Sequence, residues 1–151
     1  MARRPIDDPD ISAAGVLFEA AARLDRLLDQ ELRKQCNITH AWFEVMMRLD
    51  RMPGREMRIG QLGDELVITS GGITRLIDRM ANAGLVAREQ SATDGRSIFV
   101  VLTPEGLRVL ERAARLHARN VRELFTGVMG TRRTAQVVTA LDLVRERHGK
   151  V

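Results

Sequence analysis

Between Ser70 and Leu102 the chain passes directly from a helical pattern into a hairpin pattern, and no other stretch restricts the fold as much. In Ser70-Gly71-Gly72-Ile73-Thr74-Arg75-Leu76-Ile77-Asp78-Arg79-Met80, the apolar residues 73, 76, 77 and 80 recur at helical spacing and share one stripe. Gly71, Gly72, Arg75, Arg79 and Asn82 are left to the opposite face. Gly84 stands where a helix end needs a left-handed residue. Two extended runs follow, Leu85 to Ser91 and Ser97 to Leu102, with Thr93-Asp94-Gly95-Arg96 at their tip. Helix and hairpin are therefore consecutive and close.

The preceding segments extend this unit. From Ile11 to about Gln35, Leu17, Ala21, Leu24, Leu28 and Leu32 mark a long helix, interrupted by Asn37-Ile38-Thr39. Thr39 is a suitable N-cap for a second helix, whose stripe is Trp42, Val45, Met46 and Leu49 and which Pro53-Gly54 ends. A short third helix, about Gly60 to Leu66, is joined to the Ser70 helix by Val67-Ile68-Thr69. Two short helices so closely joined pack at a steep angle, the helix-turn-helix arrangement, with Thr69 or Ser70 as the cap of the second.

Thr103-Pro104-Glu105 is a helix start, with a threonine cap, proline at the first position and an acid at the positive end. The helix it opens has apolar or small residues at 107, 110, 114, 121, 124 and 128, with His117 interrupting the seam. A last helix, about Thr131 to Arg147, carries Val137, Val138, Leu141 and Val144. The expected fold is mainly α with a small β-hairpin wing: a winged helix-turn-helix lobe over about 38–103, flanked by dimerisation helices over about 11–36 and 103–147. Residues 1–10 read as a mobile arm and 11–151 as one domain. The terminal helices carry more apolar stripe than one small lobe can cover, and pairing with a second copy is the economical explanation.

The formal net charge is +4, and of the 24 basic residues all but Lys34 and Lys150 are arginine. So mild an excess permits polyanion binding without establishing it, and the argument rests on where the arginines lie. Cys36 is the one cysteine, so no intrachain disulfide forms. The N-terminus lacks a secretory signal's apolar core, and no apolar run approaches the ~20 residues of a membrane span, so a cytoplasmic protein with no membrane partner is expected. Three dispersed histidines and one cysteine offer no metal-ligand spacing. There is no phosphate-cradling glycine loop and no nucleophile with an identifiable base, so neither an enzyme nor a cofactor is expected.

Three segments carry a further signal: Ile59 to Leu66; Thr74 to Val86, ending Met80-Ala81-Asn82-Ala83-Gly84-Leu85-Val86; and Asp94-Gly95-Arg96-Ser97 followed by Leu102-Thr103-Pro104-Glu105-Gly106. Each alone is weak. In this order and spacing the chain resembles, over residues 11 to 147, the multiple antibiotic resistance regulator (MarR) family of bacterial transcription factors. The resemblance implies a triangular homodimer joined through its first, fifth and sixth helices. It places the two Ser70 helices in successive major grooves of a pseudo-palindromic double-stranded operator, with the wings at the minor groove. It also implies a repressor released by a small-molecule effector, commonly phenolic or anionic.

Ser70, Gly71, Gly72, Thr74, Arg75 and Arg79 are the expected DNA-reading residues of the helix. Ser70 and Thr74 can donate to bases or phosphates, the two glycines let the backbone approach, and Arg75 reaches a base edge or phosphate while Arg79 meets backbone or pairs with an acid. The bland readings are a cap, loose packing at a helix start and solvated arginines. In the wing, Arg96 is the minor-groove arginine, while Asp94 and Gly95 shape its turn. Arg88 and Arg58 are weaker candidates for flanking phosphates.

Phe18, His40, Trp42, Phe43, Met46 and His117 are the candidates for a ligand pocket, which the resemblance places at the junction of winged lobe and dimerisation helices; for any one of them, core packing is the blander alternative. Two rival readings remain: a winged-helix module for protein contact, and a redox sensor of the same family acting through Cys36. The second is weakened by the absence of tyrosine and by a cysteine at the end of its helix rather than the beginning.

Overall fold

A computed structural model describes residues 4–90 and 97–149. The hairpin tip, including Asp94, Gly95 and Arg96, lies outside the described residues. The elements run α1 (Pro9–Cys36), α2 (His40–Asp50), β1 (Glu56–Arg58), α3 (Ile59–Leu66), α4 (Ser70–Asn82), β2 (Val86–Gln90), β3 (Ile98–Leu102), α5 (Pro104–Val121) and α6 (Gly127–His148). They form two compact units, one of residues 25–116 and one of residues 1–24 with 117–151.

The 25–116 unit contains the core. The stripes read from the sequence are the buried faces: Leu32, Val45, Met46, Leu49, Leu62 and Ile77 are all fully buried. Three threonine hydroxyls begin three helices, because the first N–H groups of a helix have no partner within it. Thr39 accepts from the Trp42 N–H at 3.1 Å. Thr69, not Ser70, caps α4, accepting from the Gly72 N–H at 3.3 Å. Thr103 accepts from the Gly106 N–H at 2.9 Å while its hydroxyl donates back toward the Gly84 carbonyl at 2.7 Å. Gly84 itself, at φ +74°, makes the left-handed turn out of α4. Gly106 is required for a different reason: a Cβ there would sit 2.1 Å from the Leu85 carbonyl oxygen, so α5 lies directly on the chain leaving α4. The start of the wing and the start of α5 are thus fastened together.

The hairpin is part of a three-stranded antiparallel sheet in the order β1-β3-β2. Sequence reading missed β1, whose three residues Glu56-Met57-Arg58 are too few for a periodicity, although the alternation of charged, buried and charged residues is present. Its pairing explains the apolar run Ile98 to Leu102: β3 is the central strand, with Val100 opposite both Met57 and Arg88.

One boundary and one buried row differ from expectation. Helix α1 begins at Pro9, with a 3-10 turn at Pro5–Asp7, so the last residues assigned to an arm are helical. The buried face of α5 runs through Val109, Leu110, Ala113, Leu116 and Asn120, whereas Ala114, read as part of the seam, is exposed. Residue 110 belongs to both rows; the burial follows the stripe one position to its side.

In the other unit the chain passes through a π-helical turn at Arg122–Thr126 into α6, which Gly130 breaks at φ 74° and ψ 163°. The helix expected from Thr131 is the portion beyond that break, where the Thr134 hydroxyl donates to the Gly130 carbonyl at 2.8 Å. Among the described residues of this unit no apolar residue is buried, and Val16, Phe18, Val128, Leu143 and Val144 are each more than half exposed. No helix among the described residues is long and apolar enough to cross a membrane.

Candidate nucleic-acid interface

Helix α4 divides into two faces. Ile73, Leu76, Ile77 and Met80 are buried, which fixes the rotation of the helix and turns Ser70, Gly71, Thr74, Arg75, Asp78 and Arg79 outward. Gly71 faces open space, so the backbone there is free to approach a partner. Gly72 does something else: a Cβ would lie 2.8 Å from the Ile68 side chain, so its glycine answers to the tight turn between α3 and α4. Thr74 donates its hydroxyl proton to the Ser70 carbonyl at 2.9 Å, leaving the oxygen as an acceptor on the outer face. Arg75 has no hydrogen-bond or ion-pair partner among the described residues. A guanidinium projecting from an ordered helix with no internal acid is equipped to reach a base edge or phosphate.

The other arginines are placed differently from what their sequence positions suggest. Arg88, on β2, donates to the Asp78 carboxylate at 2.9 Å and to the Thr74 carbonyl at 3.2 Å, both on α4. Arg58 lies over the Phe99 ring at 5.7 Å from its centre, a cation–π contact between β1 and β3. Arg79 lines a groove of about 610 Å³ with Arg33 and Cys36 of the end of α1, Trp42 and Arg112. The wing residues Asp94, Gly95 and Arg96 lie outside the described residues. The Asp78–Arg88 pairing was not foreseen, although strand alternation places residue 88 on the same side of β2 as the buried Val86.

The pocket candidates separate in the same way. Phe43 and Met46 are core residues, 3% and 0% exposed, which is the blander reading. Trp42 is partly exposed in the arginine-lined groove just described. His40, half-buried, binds the Asp25 carboxylate at 2.6 Å through Nδ1 and stacks against Phe43. Beside it, the Asp29 carboxyl is held below its usual range. Partial burial opposes ionisation there, but the Arg33 side chain, the backbone N–H of His40 and the nearby positive charges outweigh it. Phe18 and the half-buried His117 belong to the other unit, with Phe18 70% exposed. Cys36 is 5% exposed and belongs to the buried core, at the edge of the arginine-lined groove.

Residues 37–97 match the family model described as the MarR family. A curated Bacillus subtilis protein, the uncharacterised HTH-type transcriptional regulator YkoM, is 32% identical over 71 residues, which are 47% of this chain and 46% of that protein. The chain spans about half the length of most of the curated relatives it matches. Among solved structures, AbsC, a MarR family transcriptional regulator from Streptomyces coelicolor, superposes with a TM-score of 0.86 at 27% identity, over 96% of this chain and 97% of that one. Sco3205, a MarR family transcriptional regulator from the same organism solved in complex with DNA, gives 0.85 at 25% identity, over 97% and 91%.

Proposed function

This chain belongs to the MarR family of winged helix-turn-helix transcriptional regulators, and from that premise we propose that it is a homodimeric, sequence-specific repressor released by a small-molecule ligand. The observation that carries the DNA reading is the outer face of α4, where Gly71 leaves the backbone open and Arg75 projects without an internal partner among the described residues. Two such helices in successive major grooves, ~34 Å or about 10 bp apart, require a pseudo-palindromic operator. Arg96 of each wing adds minor-groove readout of shape. The apolar surface of α1 and α6 in the 1–24 and 117–151 unit supports assembly with a second copy. Release by a ligand requires only that the ligand bind the non-operator arrangement of the two lobes more tightly. Trp42 and its groove are where such a ligand is best sought. A soluble regulator of this kind works in the cytoplasm.

Fluorescence anisotropy on the duplex flanking the protein's own gene, at two salt concentrations and with scrambled competitor, tests this reading. Selective binding that falls steeply with salt supports it. Weak binding equally displaced by scrambled DNA favours the protein-contact reading, in which the basic face meets an acidic partner.

A further inference from the structure

Arg88 presents a choice that its chemistry alone leaves open. A guanidinium on the wing strand beside a DNA-reading helix is an obvious phosphate contact, yet this one is already engaged. Residue 88 shares the side of β2 occupied by the buried Val86, and its partner across the sheet, Val100, is fully buried. From that side it reaches α4, where one terminal nitrogen donates both to the Asp78 carboxylate at 2.9 Å and to the Thr74 carbonyl at 3.2 Å. Thr74 and Asp78 are one helical turn apart and flank the turn from which Arg75 projects.

We propose that Arg88 is a positioning residue for DNA reading: it ties the wing strand to α4 and neutralises Asp78, and it does not itself bind phosphate. The charge argument is direct. Asp78 is half exposed on the outward face of α4, and an uncompensated carboxylate there would repel the nucleic-acid backbone. Were Arg88 to leave for a phosphate, it would gain one anion and uncover another beside it. The hydrogen bond to the Thr74 carbonyl adds a second anchor, so the strand is fixed to the helix at two points. This proposal rests on the DNA-binding reading above and specifies how the helix and wing of one lobe are held in register.

A charge-balanced double substitution separates the two roles. Operator affinity is measured against salt for the wild type and for Arg88→Gln, Asp78→Asn and the double variant, with thermal midpoints recorded for each. As a positioning pair, each single change weakens binding roughly three- to fivefold, the scale of an exposed ion pair. The double variant is then no weaker than the worse single one, and its salt slope equals that of the wild type because no phosphate contact has been lost. A phosphate contact predicts instead that Arg88→Gln lowers the salt slope by about one in either background. That result overturns the proposal, as does unchanged affinity in all three variants. A wild-type protein with no selective, salt-dependent binding overturns the DNA reading itself, and is recognised before any variant is examined. Because both side chains are partly exposed, the thermal midpoints stay near that of the wild type; a collapse of the midpoint with binding lost in proportion would reduce the pair to a fold contact and also count against it.

Discussion

The two compact units of this chain are built on opposite terms. The 25–116 unit buries apolar side chains from all of its helices and from its sheet, and Leu32, Val45, Met46, Leu49, Leu62, Ile77 and Val100 are inaccessible to solvent. Among its described residues, the unit of 1–24 and 117–151 buries no apolar side chain, although it contains valines, leucines and two phenylalanines in comparable density. Apolar surface that a chain cannot bury within itself is covered by association, and a patch of this kind on a soluble protein marks an interface. The contrast teaches that hydrophobic periodicity identifies a buried face without saying which molecule buries it. On the reading proposed above, the first unit reads DNA with a self-sufficient core and the second pairs with a second copy.

The largest effect that would sharpen this contrast is a cavity in the first unit. Ile77→Ala, at the centre of the α4 stripe, should cost about 2–5 kcal/mol in urea unfolding, as large-to-small changes at buried sites do. Leu143→Ala, at a side chain 66% exposed, should leave the stability of the 25–116 core unchanged. If both lose the same amount, the contrast between the units is wrong.

Next is the interface itself: Leu143→Glu should shift sedimentation from dimer toward monomer while leaving amide-exchange protection of β3 intact. A persisting dimer would remove α6 from the assembly. A third test concerns the outer face of the first unit, where Arg75→Ala should cost about 1–3 kcal/mol of operator binding with no change in thermal midpoint. Loss of stability instead would make Arg75 a fold residue.

Smaller effects probe strain and charge within the first unit. Val67, in the turn between α3 and α4, is a β-branched residue at φ +54° and 92% exposed, so it sustains left-handed strain with little packing in return. Relief of a cost of about 1–2 kcal/mol, less the ~0.5–1 kcal/mol entropy of glycine, should make Val67→Gly slightly more stable in thermal melts. The smallest effect is acid sensitivity. Because the Asp29 carboxyl is depressed in the folded state, its contribution is present above its unfolded value near 3.8 and is lost as pH falls through the lower folded value. Asp29→Asn should flatten that part of the acid unfolding curve and leave neutral pH nearly unaffected.

Much of the candidate site was legible because local signals agreed. The 3.6-residue stripe oriented α4, Thr39 and Thr103 announced their helices, and Gly84 marked the exit. The arginines were harder to read. Arg75, Arg79 and Arg88 have the same chemistry and neighbouring numbers, yet the first has no partner among the described residues, the second lines a groove with Trp42, and the third is tied to Asp78. A long side chain can reach several partners, and only the relative placement of strand and helix selects among them. Gly71 and Gly72 divide similarly: adjacent in sequence, one faces open space and the other is wedged against Ile68.

The sequence by itself determined the order of elements, the helix starts and the buried face of α4, because these depend on spacing and capping within a few residues. Tertiary structure alone decided that Glu56-Met57-Arg58 pairs as a third strand, that Arg88 belongs to Asp78, and which apolar stripes find a core. The physical reason is range. Periodicity and capping act over one or two turns of chain, whereas strand pairing, ion-pair choice and burial depend on segments brought together from distant positions, whose approach no local pattern records.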